Sequence, residues 1–153
     1  MKWACALVAT AAVMGVLGGS SAEAAPTCTI STTSVNFGTY DVFASSATDS
    51  TGTVTITCNG AAHNIVVTLS TGASGAYNPR TMIRGGETLS YNLYRDAART
   101  SIWGDGTGGT STYTDANPPN NTTIPITVYG RVPAGQDVSA GGYSDTVSAV
   151  INF

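Results

Sequence analysis

The sequence has one lysine, Lys2, and one histidine, His63, among 153 residues. Charged residues make up only 10%, the five arginines are scattered from Arg80 to Arg131, and the net charge is −3. Nucleic-acid binding draws on clustered Lys and Arg to neutralise phosphates, so this composition argues against that class of partner. With no second histidine and no lysine beyond Lys2, Ser–His and Ser–Lys nucleophile schemes lack their parts. There is no G-x-S-x-G elbow, no H-E-x-x-H and no P-loop. Helical periodicity is missing as well: no stretch repeats its apolar residues at 3.6. The one long apolar run, residues 3–17, falls short of the roughly 20 residues that span a bilayer.

That run reads instead as the core of a secretory signal. Lys2 is its positive start, Gly18-Gly19-Ser20-Ser21 breaks it, and Ala22-Glu23-Ala24 is an A-x-A cleavage site. Cleavage is expected between Ala24 and Ala25, giving a signal peptide over 1–24 and one domain over 25–153. Cys5 leaves with the leader, so Cys28 and Cys58 remain. Two cysteines in an exported chain are expected to form a disulfide, worth roughly 3–4 kcal/mol in the chain-entropy model. No His or neighbouring Cys completes a metal set around them.

What the sequence has is alternation. Residues 53–58 place Val54, Ile56 and Cys58 on one face; residues 64–70 place Ile65, Val67 and Leu69; residues 88–94 place Leu89, Tyr91 and Leu93; residues 122–132 place Ile124, Ile126 and Val128. A period of two is a half-buried strand. Residues 28–31 and 34–37 read as a bent or interrupted first strand, residues 44–52 as a loop, 81–84 as a short strand, 102–106 as a short strand and turn, and 107–121 as a long surface loop. In the last stretch Val147, Ala149, Ile151 and Phe153 alternate with Ser148, Val150 and Asn152, predicting a closing strand with Phe153 inward. Seven or eight short strands separated by turn residues predict a β-sandwich.

Candidate chemistry is thin. His63 sits beside a turn. Asp41, Asp49, Glu87, Asp96, Asp105, Asp115, Asp137 and Asp145 could in principle supply a glycosidase pair, but most lie beside Gly, Ser or Thr, where aspartate bonds its own backbone as a turn residue. Gly104-Asp105-Gly106 lacks the D-x-D-x-D-G spacing of a calcium loop. Asn120 and Asn121 each begin an N-x-T sequon. Tyr91, Tyr94, Trp103, Tyr129 and Tyr143 fit sheet packing, with a sugar-binding surface as the alternative. No catalytic, cofactor-binding or metal-ligating residue is assigned, and no enzyme is expected.

Taken in order, the short runs resemble a family. They are Val35-Asn36-Phe37-Gly38-Thr39-Tyr40-Asp41 after Cys28, Gly52-Thr53-Val54-Thr55-Ile56-Thr57-Cys58, Val67-Thr68-Leu69-Ser70-Thr71-Gly72, Arg80-Thr81-Met82, Leu89-Ser90-Tyr91-Asn92-Leu93-Tyr94-Arg95-Asp96, Ile102-Trp103-Gly104-Asp105-Gly106, Val128-Tyr129-Gly130-Arg131-Val132-Pro133 and Ala140-Gly141-Gly142-Tyr143-Ser144-Asp145-Thr146-Val147. Together they resemble the spore coat protein U (SCPU) domain, the unit of archaic Csu-type chaperone–usher pilins. The resemblance implies an immunoglobulin-like sandwich lacking its last strand. It implies a groove that accepts a partner's strand, bordered by Val35 and Phe37 on one side and Val147, Ala149, Ile151 and Phe153 on the other. It implies a periplasmic chaperone, an usher and a neighbouring pilin as partners, with transit through the periplasm to the cell surface and roles in adhesion and biofilm. It also implies neither cofactor nor stable membrane insertion. Only Ala25-Pro26-Thr27 precede Cys28, too few for a donor strand of ten or more residues, so a strand-accepting terminal subunit is expected rather than a mid-fibre pilin. The alternatives are a stand-alone secreted coat or matrix protein and a glycan- or surface-binding adhesin domain.

Overall fold

The computed structural model describes residues 25–153; the expected leader over 1–24 lies outside the described residues, and Ala25 is exposed at their start. The described residues form eight strands: β1 (Thr27–Thr33), β2 (Thr48–Asn59), β3 (Ile65–Leu69), β4 (Arg80–Arg84), β5 (Glu87–Tyr94), β6 (Tyr113–Asp115), β7 (Thr122–Val132) and β8 (Ala149–Asn152). The expected all-β, immunoglobulin-like sandwich is what forms. One sheet has the order β1-β2-β7-β5-β4 and the other β6-β3-β8. All the strand pairs are antiparallel.

The core lies between the sheets. Val54 and Ile56 of β2, Ile65, Val67 and Leu69 of β3, Leu89, Tyr91 and Leu93 of β5, and Ile126 and Val128 of β7 are buried in one cluster around Trp103. Trp103 is fully enclosed and donates its indole N–H to the Val67 carbonyl at 3.0 Å. Cys28 stands opposite Cys58 in the β1–β2 register, and the two are joined as a disulfide. The bond ties the edge strand β1 to its neighbour β2.

Five boundaries differ from the sequence reading. The first strand ends at Thr33, and residues 34–37 join no ladder. There Val35 and Phe37 turn in over two strand glycines, which draws the backbone off the edge of β2. Residues 48–52, read as loop, extend β2 because Asp49 pairs with Arg131 across the ladder. The expected long loop over 107–121 contributes β6, since Val67 finds a partner in Tyr113. The closing strand is only Ala149–Asn152; Val147 precedes it, and Phe153, expected inward, is 52% exposed beyond its end. Residues 102–106 form isolated bridges, Tyr94 with Ile102 and Trp103 with Ser111, rather than a strand.

Candidate functional site

Two stretches without a ladder face each other across one side of the sandwich. One is residues 34–43, the continuation of β1. The other is residues 136–148, which lead into β8. Between them runs a cleft of about 1190 Å³ whose floor is core: Val54, Leu69, Leu89, Tyr91, Leu93 and Val128. Of the residues predicted from the sequence to border a groove, Val35, Phe37, Val147 and Ala149 line this cleft; Ile151 and Phe153 do not. Ile151 packs half-buried against the core from β8.

The 34–43 wall is positioned by glycine. A Cβ on Gly52 would stand 2.8 Å from Val35 Cγ2, and one on Gly130 would stand 2.6 Å from Val35 Cγ1 and 2.7 Å from Phe37 Cζ. Glycine inside a strand marks such close approach. Further along, the Ser50 hydroxyl donates to the Asn36 carbonyl at 2.6 Å. Tyr40 donates its hydroxyl to the Pro133 carbonyl and accepts the Gln136 N–H, both at 2.9 Å.

The opposite wall is held by side chains in place of a continuous ladder. The Gln136 amide imitates a strand partner: its Oε1 accepts the Ser90 N–H at 2.7 Å and its Nε2 donates to the Ser90 carbonyl at 2.9 Å. Glu87 accepts the hydroxyls of Ser139 and Tyr143, each at 2.6 Å. Those bonds, Ser139's first, hold the Glu87 carboxyl below its ordinary value, while the bond from Tyr143 raises that phenol above its own. Asp145 accepts the Tyr91 hydroxyl at 2.6 Å, the Ala73 N–H at 2.8 Å and the Thr146 N–H at 2.7 Å. Burial first, then Asp145, pushes the Tyr91 phenol far above its ordinary range. Beyond Gln136, the backbone of this wall bonds to neighbouring backbone at Ser144, with Ile83, and at Ser148, with Ser70.

Behind the wall lies a buried arginine that nothing in the local sequence marks. Arg80 is fully buried and has no carboxylate partner. Its guanidinium donates to the Ser70 carbonyl from Nε and Nη2 at 3.0 and 2.8 Å, to the Trp103 carbonyl at 2.7 Å and to Asn92 Oδ1 at 2.9 Å. Burial lowers its pKa. A planar fork that serves three acceptors explains why an arginine sits here.

The remaining candidates are structural in their surroundings. Asp105 and Asp115 bond their own turns, as expected. Asp49 instead joins a bidentate ion pair with Arg131 at 2.7 and 2.8 Å, with Arg99 at 3.2 Å. His63 is exposed and meets Asn117 Oδ1 at 3.1 Å. Tyr91 and Trp103 are core, which leaves Tyr94, Tyr129 and Tyr143 partly exposed. Among the described residues no three His, Cys, Asp or Glu side chains gather as for a metal. No described helix is long and apolar enough to cross a membrane.

The profile of the Spore Coat Protein U domain matches residues 13–150. The chain belongs to the SCPU family. It is 36% identical over 132 residues to Protein U of Myxococcus xanthus, covering 78% of this chain and 71% of that protein. Its fold matches, with a TM-score of 0.61, a chain in the crystal structure of the CsuC–CsuE chaperone–tip adhesion subunit pre-assembly complex from the archaic chaperone–usher Csu pili of Acinetobacter baumannii. That match has 24% identity and covers 84% of this chain and 40% of the other, so this SCPU chain spans well under half of that structural neighbour.

Proposed function

We propose that this SCPU chain is a secreted structural subunit of a chaperone–usher pilus or related cell-surface assembly, and that its cleft takes in an extended strand from a partner. The observation that carries the reading is the pair of facing walls, 34–43 and 136–148, that join no ladder above an apolar floor. An inserted strand adds backbone hydrogen bonds along both walls and sets alternate side chains on the floor. A periplasmic chaperone and then a neighbouring subunit are the proposed donors, with an usher exporting the assembly; the fold shared with a chain of a chaperone–tip subunit complex supports this. The leader over 1–24, cut between Ala24 and Ala25, supplies entry to the periplasm, and adhesion or biofilm formation is the proposed use at the surface. The role is structural rather than enzymatic.

The test is periplasmic expression of the full-length sequence with and without a co-expressed pilus chaperone, followed by addition of a peptide of alternating apolar residues. The proposal expects low yield alone, rescue by the chaperone and a raised melting temperature with peptide. A stable monomer that ignores both would refute strand acceptance. It would favour the second reading, a secreted coat or matrix protein that folds without a donor, which the family's name supports.

A further inference from the structure

The turn within the 34–43 wall displays an apolar side chain with nothing packed on it. Phe43 is 93% exposed, while Val35 and Phe37 of the same wall point inward. The exposure is built. The Phe43 N–H donates to Asp41 Oδ1 at 2.9 Å, and the Ala44 N–H donates to the Asp41 carbonyl at 3.1 Å. An aspartate bonded in this way fixes the turn it begins, so the ring is presented rather than left on a loose chain. Asp41, Val42 and Phe43 all line the cleft, so this turn is continuous with the surface proposed to take a strand.

The cleft also has a sign. Asp41 and Asp145 line it and no cation does. The arginines are engaged elsewhere. Arg80 is buried among neutral acceptors, Arg84 pairs with Glu87, Arg95 lies against the rings of Trp103 and Tyr113, and Arg99 and Arg131 meet Asp49. Asp145 is saturated by three donors, whereas Asp41 Oδ2 has no bond from its own turn.

We infer that Asp41-Val42-Phe43 is a selective lip of the cleft. It reads the occupant, an extended segment of a partner chain, by an apolar side chain laid on Phe43 followed by a basic one near Asp41. The inference rests on strand acceptance and deepens it. Backbone pairing along the walls carries no sequence information, and the apolar floor discriminates only by size. The lip adds a contact and a charge, and an acidic residue at that place is repelled.

The probes are a synthetic peptide of about a dozen residues alternating valine and threonine, and the same peptide extended at either end by Ile-Lys or by Ser-Glu. Binding to the full mature protein is measured by fluorescence anisotropy at two salt concentrations. Ile-Lys at one end is expected to tighten binding about tenfold over the bare peptide, and Ser-Glu is not. Phe43→Ser should erase the isoleucine gain, and Asp41→Asn, which keeps the turn's acceptor, should erase the salt-dependent part. Both variants should melt as wild type, and the readout in each is the ratio of extended-peptide to bare-peptide affinity. Equal binding of every probe by wild type and Phe43→Ser overturns the lip alone. Failure of wild type to bind even the bare peptide overturns strand acceptance and the lip with it.

Discussion

Phe37 meets Tyr91 edge-on, with ring centroids 6.0 Å apart and planes inclined at 66°. A residue of the unpaired 34–43 wall is thereby fixed to the buried strand β5. The contact depends on Gly130, whose missing Cβ leaves room for Phe37 and Val35. Gly130→Ala forces both side chains to shift, and overpacking of this kind costs about 1–3 kcal/mol. Denaturant unfolding should show the lower midpoint, and Phe37→Leu in the same chain should recover part of it. An unchanged midpoint would mean that the wall does not rest on the sheet.

That glycine also shows where the sequence was readable. Periodicity of two located β2, β3, β5 and β7 because each has one face in the core, and burial alone enforces alternation there. It misread both walls of the cleft. Residues 34–37 alternate like a strand, yet Val35 and Phe37 are held by side-chain packing on Gly52 and Gly130 and not by a ladder. Residues 143–153 alternate too, but only Ala149–Asn152 form a ladder, with β3, and Ser144 makes an isolated bridge to Ile83. The local pattern carries inward and outward; it does not carry whether a neighbouring strand is present. Glycines inside the β2 and β7 patterns were the available signal of a close approach. Arg80 left none, since its acceptors, Ser70, Asn92 and Trp103, are separated from it by 10 or more positions.

Arg80 should be the least replaceable charge in the chain. Arg80→Ala leaves the buried Trp103 carbonyl, the part-buried Ser70 carbonyl and Asn92 Oδ1 without their donor, and breaking a buried charged network costs on the order of 3–5 kcal/mol. Arg80→Lys offers a point charge in place of the planar fork and should recover less than half of that. Equilibrium unfolding of the two variants measures both; a lysine variant as stable as wild type would refute the fork.

Asp145 and Tyr91 should be energetically coupled. Tyr91→Phe removes the part-buried hydroxyl bond to Asp145, at about 1–2 kcal/mol. Asp145→Asn loses the charge and turns an amide donor toward at least one of three donors, at a similar cost. If the bond fastens the 136–148 wall, the double variant loses clearly less than the sum. Hydrogen exchange should report the same event locally, as faster exchange at Ala73 and Thr146 than elsewhere.

Acid should loosen the same wall. Folding lowers the Asp49 pKa, chiefly through the hydrogen bond from Arg131, and lowers that of Glu87, chiefly through Ser139 and then Tyr143. A carboxylate that binds protons more weakly when folded makes protonation favour the unfolded chain. Its contribution is complete above the ordinary values, 3.8 for Asp49 and 4.5 for Glu87, and fades as pH falls through the lower folded values. The urea midpoint should therefore be nearly flat from about pH 7 to about pH 5 and fall below about pH 4. Asp49→Asn and Glu87→Gln should each flatten that fall. They differ in place: Asp49 joins β2 to β7, whereas Glu87 holds Ser139 and Tyr143 at the cleft. Only Glu87→Gln should change the exchange of residues 139–143 at neutral pH, and the same exchange in both variants would remove Glu87 from the wall.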